Sequence, residues 1–280
     1  MSSPGGILLI TFGAAIVNGA LGYGFSSITV PLALFLIPNR VLNPALVAIE
    51  VALNAYVLWV NRAAVPSVGR RVAPLAVGLV PGVVAGTLVV AHVSPAWVKF
   101  ATYAALLPVI LIQASGFRRP IRSERAAGAF FGVGLGTLYS VTTISGPPLA
   151  VALNNQGLSK DEFRAALGVV RLAESSMTAA AYLAVGLFTR DSLALIPQIV
   201  PSVFVGVPIG AVLIRHLSPE TFRRICMSFD AWVVGFGLSA LLRELRIVTG
   251  AAAFGVLGAV AAVDGWLLYR YFYSHSRNRA

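Results

Sequence analysis

Charge is what this sequence lacks most. Only 11% of its 280 residues are charged, whereas 58% are hydrophobic and the mean hydropathy is +0.84. An ordinary soluble domain carries roughly 25% charged residues, so the composition excludes that class and predicts an integral membrane protein. Apolar stretches of about 20 residues recur along the chain, which favours membrane helices over the weak alternating segments of a barrel.

Cysteine and histidine are almost absent as well. The single cysteine, Cys226, excludes an internal disulfide, and three scattered histidines argue against a Cys/His metal cluster. No histidine lies at the depth of Ser26 or Ser145, so no nucleophile with a base is found, and we predict no enzyme and no cofactor. The net charge of +11 is explained by basic loops that orient a membrane protein. The bilayer, and not nucleic acid, is therefore the expected partner.

Two blocks of sequence occur twice in the same order. The segment "NGALGYGFSSITVPLA" (18–33) aligns with "LGTLYSVTTISGPPLA" (135–150) at an interval of 117 residues. A second pair, "GVVAGTLVVAHVSP" (82–95) and "GVPIGAVLIRHLSP" (206–219), aligns at an interval of 124. These matches indicate an internal duplication. We predict repeat one over 5–114, repeat two over 115–242, and an extra C-terminal span over 247–269 without a counterpart.

The Lys and Arg distribution predicts how each repeat crosses the membrane. If the glycine-containing segments 5–37 and 126–153 each cross once, the loops carry ten basic residues on either side. If each segment turns back, one face carries 15 and the other only five: Arg40, Lys99, Arg190, Arg243 and Arg246. Only the second arrangement satisfies the positive-inside rule. It leaves three crossings per repeat, and an odd number inverts the second repeat relative to the first.

The predicted fold is all-α integral membrane, with two inverted-topology repeats. Each repeat is a re-entrant helical hairpin plus three spans, at 42–60, 72–91 and 96–114 and at 166–188, 193–214 and 221–242. The N-terminus is expected outside and the C-terminus in the cytoplasm. The charge count determines only whether each segment crosses an odd or an even number of times, so two full crossings per hairpin remain an alternative. Arms of about 14 residues, however, cover only about 21 Å of a roughly 30 Å core.

The two hairpin tips are the expected binding site. Non-helical backbone survives at membrane depth only where protein or a water-filled cavity satisfies it, and transporters bind substrates there. Helix N-termini at such breaks suit anions. The alternative is that small residues merely let helices pack closely. The candidate ligands are Asn18, Gly22, Tyr23, Gly24, Ser26 and Ser27 in the first hairpin, and Tyr139, Thr142, Thr143, Ser145 and Gly146 in the second.

Arg171 is the sharpest single signal, because a charge inside a span is expensive and functional by default. Its planar fork can grip a sulfonate, carboxylate or phosphate bidentately. At the 117-residue interval its partner is Asn54, another polar intramembrane residue and a further candidate ligand. A structural alternative is an ion pair with Glu174, three residues along the same helix. Glu174 and Glu50 are the candidates for proton coupling, which requires a buried carboxylate.

The two glycine-rich hairpins, each ending in proline, resemble those of the TauE/SafE family of membrane transporters, also called the sulfite exporter family. The resemblance covers nearly the whole chain and implies a multi-pass protein of the bacterial inner membrane that moves sulfite, sulfoacetate or other organosulfur anions. The family pattern maps onto Gly19, Gly22, Gly24 and Pro31, and onto Gly136, Gly146, Pro147 and Pro148.

The prediction for function is a secondary transporter of small anions that works by alternating access, with a site between the two hairpin tips and Arg171. An anion channel or uniporter with a fixed pore on the same architecture is the alternative. The sequence does not determine which anion is carried, the direction of transport, the coupling ion or the oligomeric state. It is compatible with a monomer and with a homo-oligomer.

Overall fold

The computed structural model of the chain describes residues 4–115, 124–154, 158–214, 216 and 219–277. Within these ranges every regular element is a helix, which confirms the all-α prediction for the part described. The predicted repeat one corresponds to α1 (Pro4–Leu21), α2 (Phe25–Ala33), α3 (Asn39–Val60), α4 (Val65–His92) and α5 (Pro95–Ala114). The rest contains α6 (Glu124–Thr142), α7 (Gly146–Asn154), α8 (Lys160–Ala184), α9 (Arg190–Leu213), α10 (Pro219–Glu244) and α11 (Gly255–Arg277). Short 3₁₀ turns at Arg62–Ala64 and Gly250–Phe254 precede α4 and α11.

Six helical segments of the described chain are long and apolar enough to cross a membrane. They are Asn39–Val60, Arg62–His92, Pro95–Ile112, Arg190–Leu213, Arg224–Glu244 and Gly250–Tyr273. Seven spans are predicted, and the one without a counterpart among these six segments is 166–188, which falls on α8. Arg171, Glu174 and the hydroxyl residues that follow them make α8 too polar to qualify by composition. Its role as a crossing therefore stays a prediction.

The start of α8 is fixed by a capping box. The Ser159 hydroxyl accepts a hydrogen bond from the Glu162 amide at 3.3 Å, and the Glu162 carboxylate accepts one from the Ser159 amide at 2.9 Å. This reciprocal pair satisfies two helix-end N–H groups, and the Ser159 amide that it engages lowers the pKa of Glu162. The helix that carries Arg171 and Glu174 thus begins six residues before the predicted span.

The helix bounds repeat at an interval of 121 residues, and not at the 117 of the first sequence block. Four residues make about one helical turn, so small and apolar positions match almost equally well at either interval. The second block's interval of 124 agrees with the starts of α5 and α10, at Pro95 and Pro219. The 121-residue interval relates the ends of α1 and α6, both bounds of α2 and α7, the starts of α3 and α8, and the ends of α4 and α9.

The most extensive helix–helix packing joins α4 to α6 and α1 to α9. Within each pair the two helices run parallel to each other. Gly82 meets the backbone of Val133, and one turn later Gly86 meets Ser140. A Cβ on Gly82 would overlap the Val133 carbonyl oxygen. Small residues therefore let the two backbones touch, as they do in many membrane helix pairs.

The second long contact repeats this geometry. The Ser202 hydroxyl donates to the Leu8 carbonyl at 3.2 Å, and Gly210 lies against Ile16. Residue numbers rise together on both helices, so α1 runs parallel to α9. By contrast α3 and α8 are antiparallel, because Glu50 meets Arg171 whereas the later residue Leu58 meets the earlier Gly168.

Each predicted hairpin contains two helices, but their lengths are unequal. The first arms, α1 and α6, have 18 and 19 residues, and the second arms, α2 and α7, have nine each. At 1.5 Å per residue the first arms reach about 27 to 29 Å and the second about 14 Å. The expectation of two arms of about 14 residues is wrong. The first arms are long because each packs along most of a full-length helix, α9 or α4.

Candidate functional site

Each first arm ends at a short stretch of non-helical backbone. The first break, residues 22–24, holds Gly22 at φ 80° and Gly24 at φ 107°. The second break, residues 143–145, holds Thr143 at φ 57°. Left-handed backbone is cheap for glycine and costs other residues about 1–2 kcal/mol. Both breaks lead directly into a short helix, so the N-termini of α2 and α7 lie beside them.

Side chains from neighbouring helices satisfy backbone carbonyls near the breaks. Asn43 on α3 donates to the Val141 carbonyl at 2.7 Å, beside the second break. This bond helps the chain accommodate irregular backbone in an apolar surrounding. The Tyr103 hydroxyl on α5 donates to the Pro31 carbonyl at 2.7 Å and so satisfies the opposite, C-terminal end of α2.

Glu50, fully buried at the centre of α3, collects three hydrogen-bond donors. Its Oε1 accepts from the Ser26 hydroxyl at 2.7 Å and from Nη2 of Arg171 at 2.9 Å. Its Oε2 accepts from the Tyr139 hydroxyl at 2.7 Å. The donors come from α2, α8 and α6, so one carboxylate joins both hairpins to the two helices that follow them.

A second carboxylate lies beside this ion pair. The Ser145 hydroxyl at the second break donates to Oε1 of Glu174, which is fully buried. Oε2 of Glu174 and Nε of Arg171 have no hydrogen-bond partner among the described residues. Buried polar atoms are rarely left without a partner, so this pair of atoms is a place where water or a ligand can bind.

Residues at corresponding places in the two predicted repeats touch each other here. Glu50 and Arg171 are 121 residues apart, and so are Asn54 and Ser175, whose Nδ2 and Oγ lie 3.4 Å apart. Self-contacts of this kind occur where two copies of a structure meet on a two-fold axis. The chemistry is not symmetric, because one copy supplies a carboxylate where the other supplies a guanidinium.

The structure contradicts the alternative in which Arg171 pairs with Glu174. The Arg171 guanidinium pairs with Glu50 across the helix interface and not with Glu174 three residues along α8. The Glu174 carboxyl instead faces Ser145 at the second break. Asn54 is close to Arg171 but donates to its backbone carbonyl, at 3.2 Å. Asn54 therefore positions α8 and does not touch the guanidinium through this bond.

The remaining predicted residues fall into two groups. The Thr142 and Thr143 hydroxyls serve the second break itself: Thr142 accepts from the Ile144 amide at 3.0 Å, and Thr143 donates to the Thr142 carbonyl at 2.7 Å. At the first break the Gly22 amide donates to the Asn18 carbonyl at 2.7 Å, whereas the buried Oδ1 of Asn18 has no partner among the described residues.

The second group lies at a cavity whose described lining does not include Glu50 or Arg171. Tyr23, Gly24 and Ser27 line a cavity of about 20 Å³, room for about one water molecule. Gly146 packs against the Tyr23 ring, and Asp230 of α10 completes the polar part of the lining. Asp230 was not predicted as a site residue, although its position inside a span was the signal that could have found it.

Comparison with known proteins gives the family. A sequence model described as "Sulfite exporter TauE/SafE" matches residues 7–237. The chain belongs to the TauE/SafE family. It is also 29% identical over 180 residues to the "Probable sulfite/organosulfonate exporter TauE" of Cupriavidus necator, a match that covers 62% of this chain and 68% of the relative. No solved structure matches the chain at a significant level.

Membership of the TauE/SafE family confirms the resemblance found in the sequence. It makes the chain a multi-pass membrane protein of an exporter family, which is a class of transporters and not of enzymes. The family also fits a bacterial inner-membrane location. The match extends over both breaks and over Glu50, Arg171 and Glu174.

Proposed function

We propose that this TauE/SafE protein is a secondary transporter that exports sulfite or small organosulfonates such as sulfoacetate by alternating access. The observation that carries the proposal is the buried Arg171–Glu50 pair between the two breaks, with Nε of Arg171 unpaired. The name of the Cupriavidus relative supplies the substrate class. Sulfite and sulfonates present several oxygens around one sulfur, which the planar guanidinium fork can bind through two N–H groups.

The packing directions support inverted-topology repeats over 5–114 and 115–242. Since α3 and α8 are antiparallel, the helices that follow them by short loops, α4 and α9, are antiparallel as well. The first arms α6 and α1 run parallel to α4 and α9, so they also point in opposite directions. Each second arm then leads back towards the start of the next helix, α3 or α8. The two hairpins thus enter from opposite faces, and α8 is the seventh crossing.

In this arrangement the anion lies between the two breaks. Arg171 supplies the charge, and the N-terminus of α2 supplies free N–H groups with a positive dipole end. In α7 the second and third residues are Pro147 and Pro148, which have no N–H, so its first turn offers the Gly146 amide and the dipole end alone. The hydroxyls of Ser26, Tyr139 and Ser145 already point at the carboxylates of the cluster, so an anion that pairs with Arg171 would exchange partners with Glu50. Such an exchange gives the site two states, which alternating access requires.

Two observations favour alternating access over a fixed pore. The cavity beside the first break is about 20 Å³, which admits water but not an oxyanion. Arg171 is only 4% exposed, so substrate reaches it only after the hairpins move. Currents that rise linearly with driving force, without saturation, would instead identify a channel.

Within the cluster, Glu174 is the better candidate for proton coupling. Both carboxylate oxygens of Glu50 already accept hydrogen bonds, from one guanidinium and two hydroxyls. Glu174 has one hydroxyl donor and one oxygen without a partner in the described chain. We place the N-terminus outside and the C-terminus in the cytoplasm, on the positive-inside count.

Binding to the purified full-length chain tests the proposal. Sulfite, sulfoacetate, taurine and acetate would be screened by the shift in melting temperature and then by titration calorimetry. We expect sulfite or sulfoacetate to bind the wild type and Arg171→Lys to bind at least about tenfold more weakly, because lysine keeps the charge but loses the fork.

The matched control is Arg224→Lys. Arg224 is 4% exposed, like Arg171, but it bonds to the Ala114 carbonyl and to Asp264 and lies outside the cluster. Its variant should bind the anion as the wild type does. Equal affinity of the wild type and Arg171→Lys would show that Arg171 is not the anion ligand.

A further inference from the structure

The cavity beside the first break contains a carboxyl group that the anion site does not use. Asp230 on α10 is 6% exposed and lines the cavity together with Tyr23, Gly24 and Ser27. Its carboxyl forms no hydrogen bond or ion pair with any residue in the described ranges. Ser27 is likewise 6% exposed and has no hydrogen-bond partner there.

The other buried aspartate of the C-terminal helices is treated differently. Asp264 on α11 accepts from Ser228 at 3.1 Å, from the Trp232 indole at 3.2 Å and from Arg224 at 3.4 Å. These three donors on α10 compensate the charge of the Asp264 carboxylate, and the bonds connect α11 to α10. Asp230 lies on the same helix as these donors but points into the cavity, so no structural bond accounts for it.

The lining of the cavity decides which ligand it can take. Its other members are Val17, Leu21, Ile28, Ile110, Met227, Cys226 and Pro147. Tyr23 and Cys226 are the further titratable groups that face Asp230, and within the part of the chain that the structure describes no charged side chain other than Asp230 itself lines the space. A metal cation such as Mg²⁺ or Ca²⁺ takes at least six oxygen ligands, which this lining lacks. Buried carboxyl groups without a cationic partner usually bind a proton instead.

We propose that Asp230 is a proton-binding site of the transport cycle, separate from the Arg171 cluster and coupled to it through the first break. The inference rests on the proposed anion transport. The coupling element is the first turn of α2, where Ser26 donates to Glu50 at 2.7 Å on one side and Ser27 faces Asp230 on the other.

The backbone of the first break can change conformation at little cost. Gly22 and Gly24 both adopt positive φ, so the start of α2 is joined to α1 through two residues that change conformation at little cost. When Asp230 gains or loses a proton, the donors and acceptors offered to Ser27 change. Any displacement of Ser27 carries Ser26 with it and alters the hydrogen bonding of Glu50, the partner of Arg171.

The test measures how many protons move with each anion. The full-length protein would be reconstituted in vesicles with the membrane potential clamped at zero and a pH difference of one unit. The probe is labelled sulfoacetate, whose charge does not change near neutral pH. The measured quantity is the ratio of sulfoacetate concentrations on the two sides of the membrane at which net flux stops. This ratio changes by about tenfold for each coupled proton.

We expect Asp230→Asn to lower that ratio by about tenfold while one-for-one exchange of sulfoacetate at equal pH stays within about twofold of the wild type. Cys226→Ala, which alters the same cavity without removing the carboxyl, should leave the ratio unchanged. An unchanged ratio in Asp230→Asn would overturn the proposal. Loss of exchange as well, with an unchanged melting temperature, would also overturn it, because the carboxyl would then be needed for translocation itself.

Asp230→Ser serves if the asparagine variant does not fold, since it is smaller and also lacks the carboxyl. An independent readout is the infrared C=O stretch of a protonated carboxyl in difference spectra between pH 6 and pH 8. Either Asp230 variant should remove one component of this band that Asp264→Asn retains, and a band unchanged in the Asp230 variants would count against the proposal. Absence of sulfoacetate exchange in the wild type is a different result: it contradicts the proposed function, and the Asp230 inference falls with it.

Discussion

At the scale of single residues, the Arg171–Glu50 pair is a balance between two large effects. Removing two charges from water costs several kcal/mol per ion, and only close geometry with further hydrogen bonds offsets that cost. Glu50 has such bonds from Ser26 and Tyr139, whereas Nε of Arg171 has none in the described chain. The pair is therefore better satisfied on its carboxylate side than on its guanidinium side, and the guanidinium is the half with capacity for an anion.

This balance predicts the effect of removing one charge or both. Glu50→Gln leaves Arg171 buried without a counterion and should destabilise the protein by about 3–5 kcal/mol, since breaking one half of a buried pair has that effect. The double variant Glu50→Gln with Arg171→Gln removes both charges and should recover most of that loss. Chemical or thermal unfolding in detergent measures both. A double variant no more stable than Glu50→Gln would show that the pair is not the source of the effect.

A bound anion should change this result in a specific way. If sulfite or sulfoacetate replaces Glu50 as the partner of Arg171, the anion stabilises Glu50→Gln more than the wild type, because it restores the missing counterion. The double variant should show no such stabilisation. The same unfolding measurement, repeated with the anion, separates a binding role of Arg171 from a purely structural one.

The sequence identified Arg171 but not its partner, and the reason is physical. A charge inside a span stands out locally, and so does a residue three positions away on the same helix. The meeting of Glu50 with Arg171 depends instead on how α3 and α8 cross, which is set by packing between residues about 120 positions apart. At the 121-residue interval the two become repeat-related, but a shift of one helical turn hid this relation.

At the scale of helices, glycine decides where pairs can touch. Gly82→Ala would place a Cβ on the Val133 carbonyl oxygen of α6, so the two backbones must separate. We expect a loss of about 1–3 kcal/mol in the free energy of unfolding, the usual cost of overpacking. Gly134→Ala on α6 is the control, because a Cβ there meets nothing within 4 Å and should be neutral or slightly stabilising. Equal stability of the two variants would contradict the close α4–α6 contact.

The breaks were predictable, but the lengths of their arms were not. Gly22 and Gly24 interrupt an apolar run and mark the first break directly in the sequence. Thr143, a β-branched residue at positive φ, gives no such signal at the second break. The long first arms result from contacts with α9 and α4, which a local pattern cannot show. The start of α8 was readable, since "SKDE" at 159–162 is a capping-box sequence.

At the scale of the whole molecule, the central claim is that the two repeats face opposite ways. Ala63, in the turn before α4, and Ala184, at the end of α8, are exposed and lie 121 residues apart. Inverted repeats place these equivalent positions on opposite sides of the membrane, whereas parallel repeats place them on the same side. By the positive-inside rule, the basic residues Arg62 and Arg70 beside the first position lead us to expect it in the cytoplasm.

Cysteine labelling decides between these arrangements. In a Cys226→Ser background, Ala184→Cys should react with a membrane-impermeant maleimide in intact spheroplasts, and Ala63→Cys should react only after the membrane is opened. The background protein without either cysteine should remain unlabelled. Labelling of both positions from one side would require an even number of crossings between them, and the second hairpin, which lies between them, would then have to cross the membrane once, contrary to the proposed architecture. The pair is suited to the question because both positions are alanine and lie at repeat-related places, so that the same small change to cysteine is made on each side of the comparison.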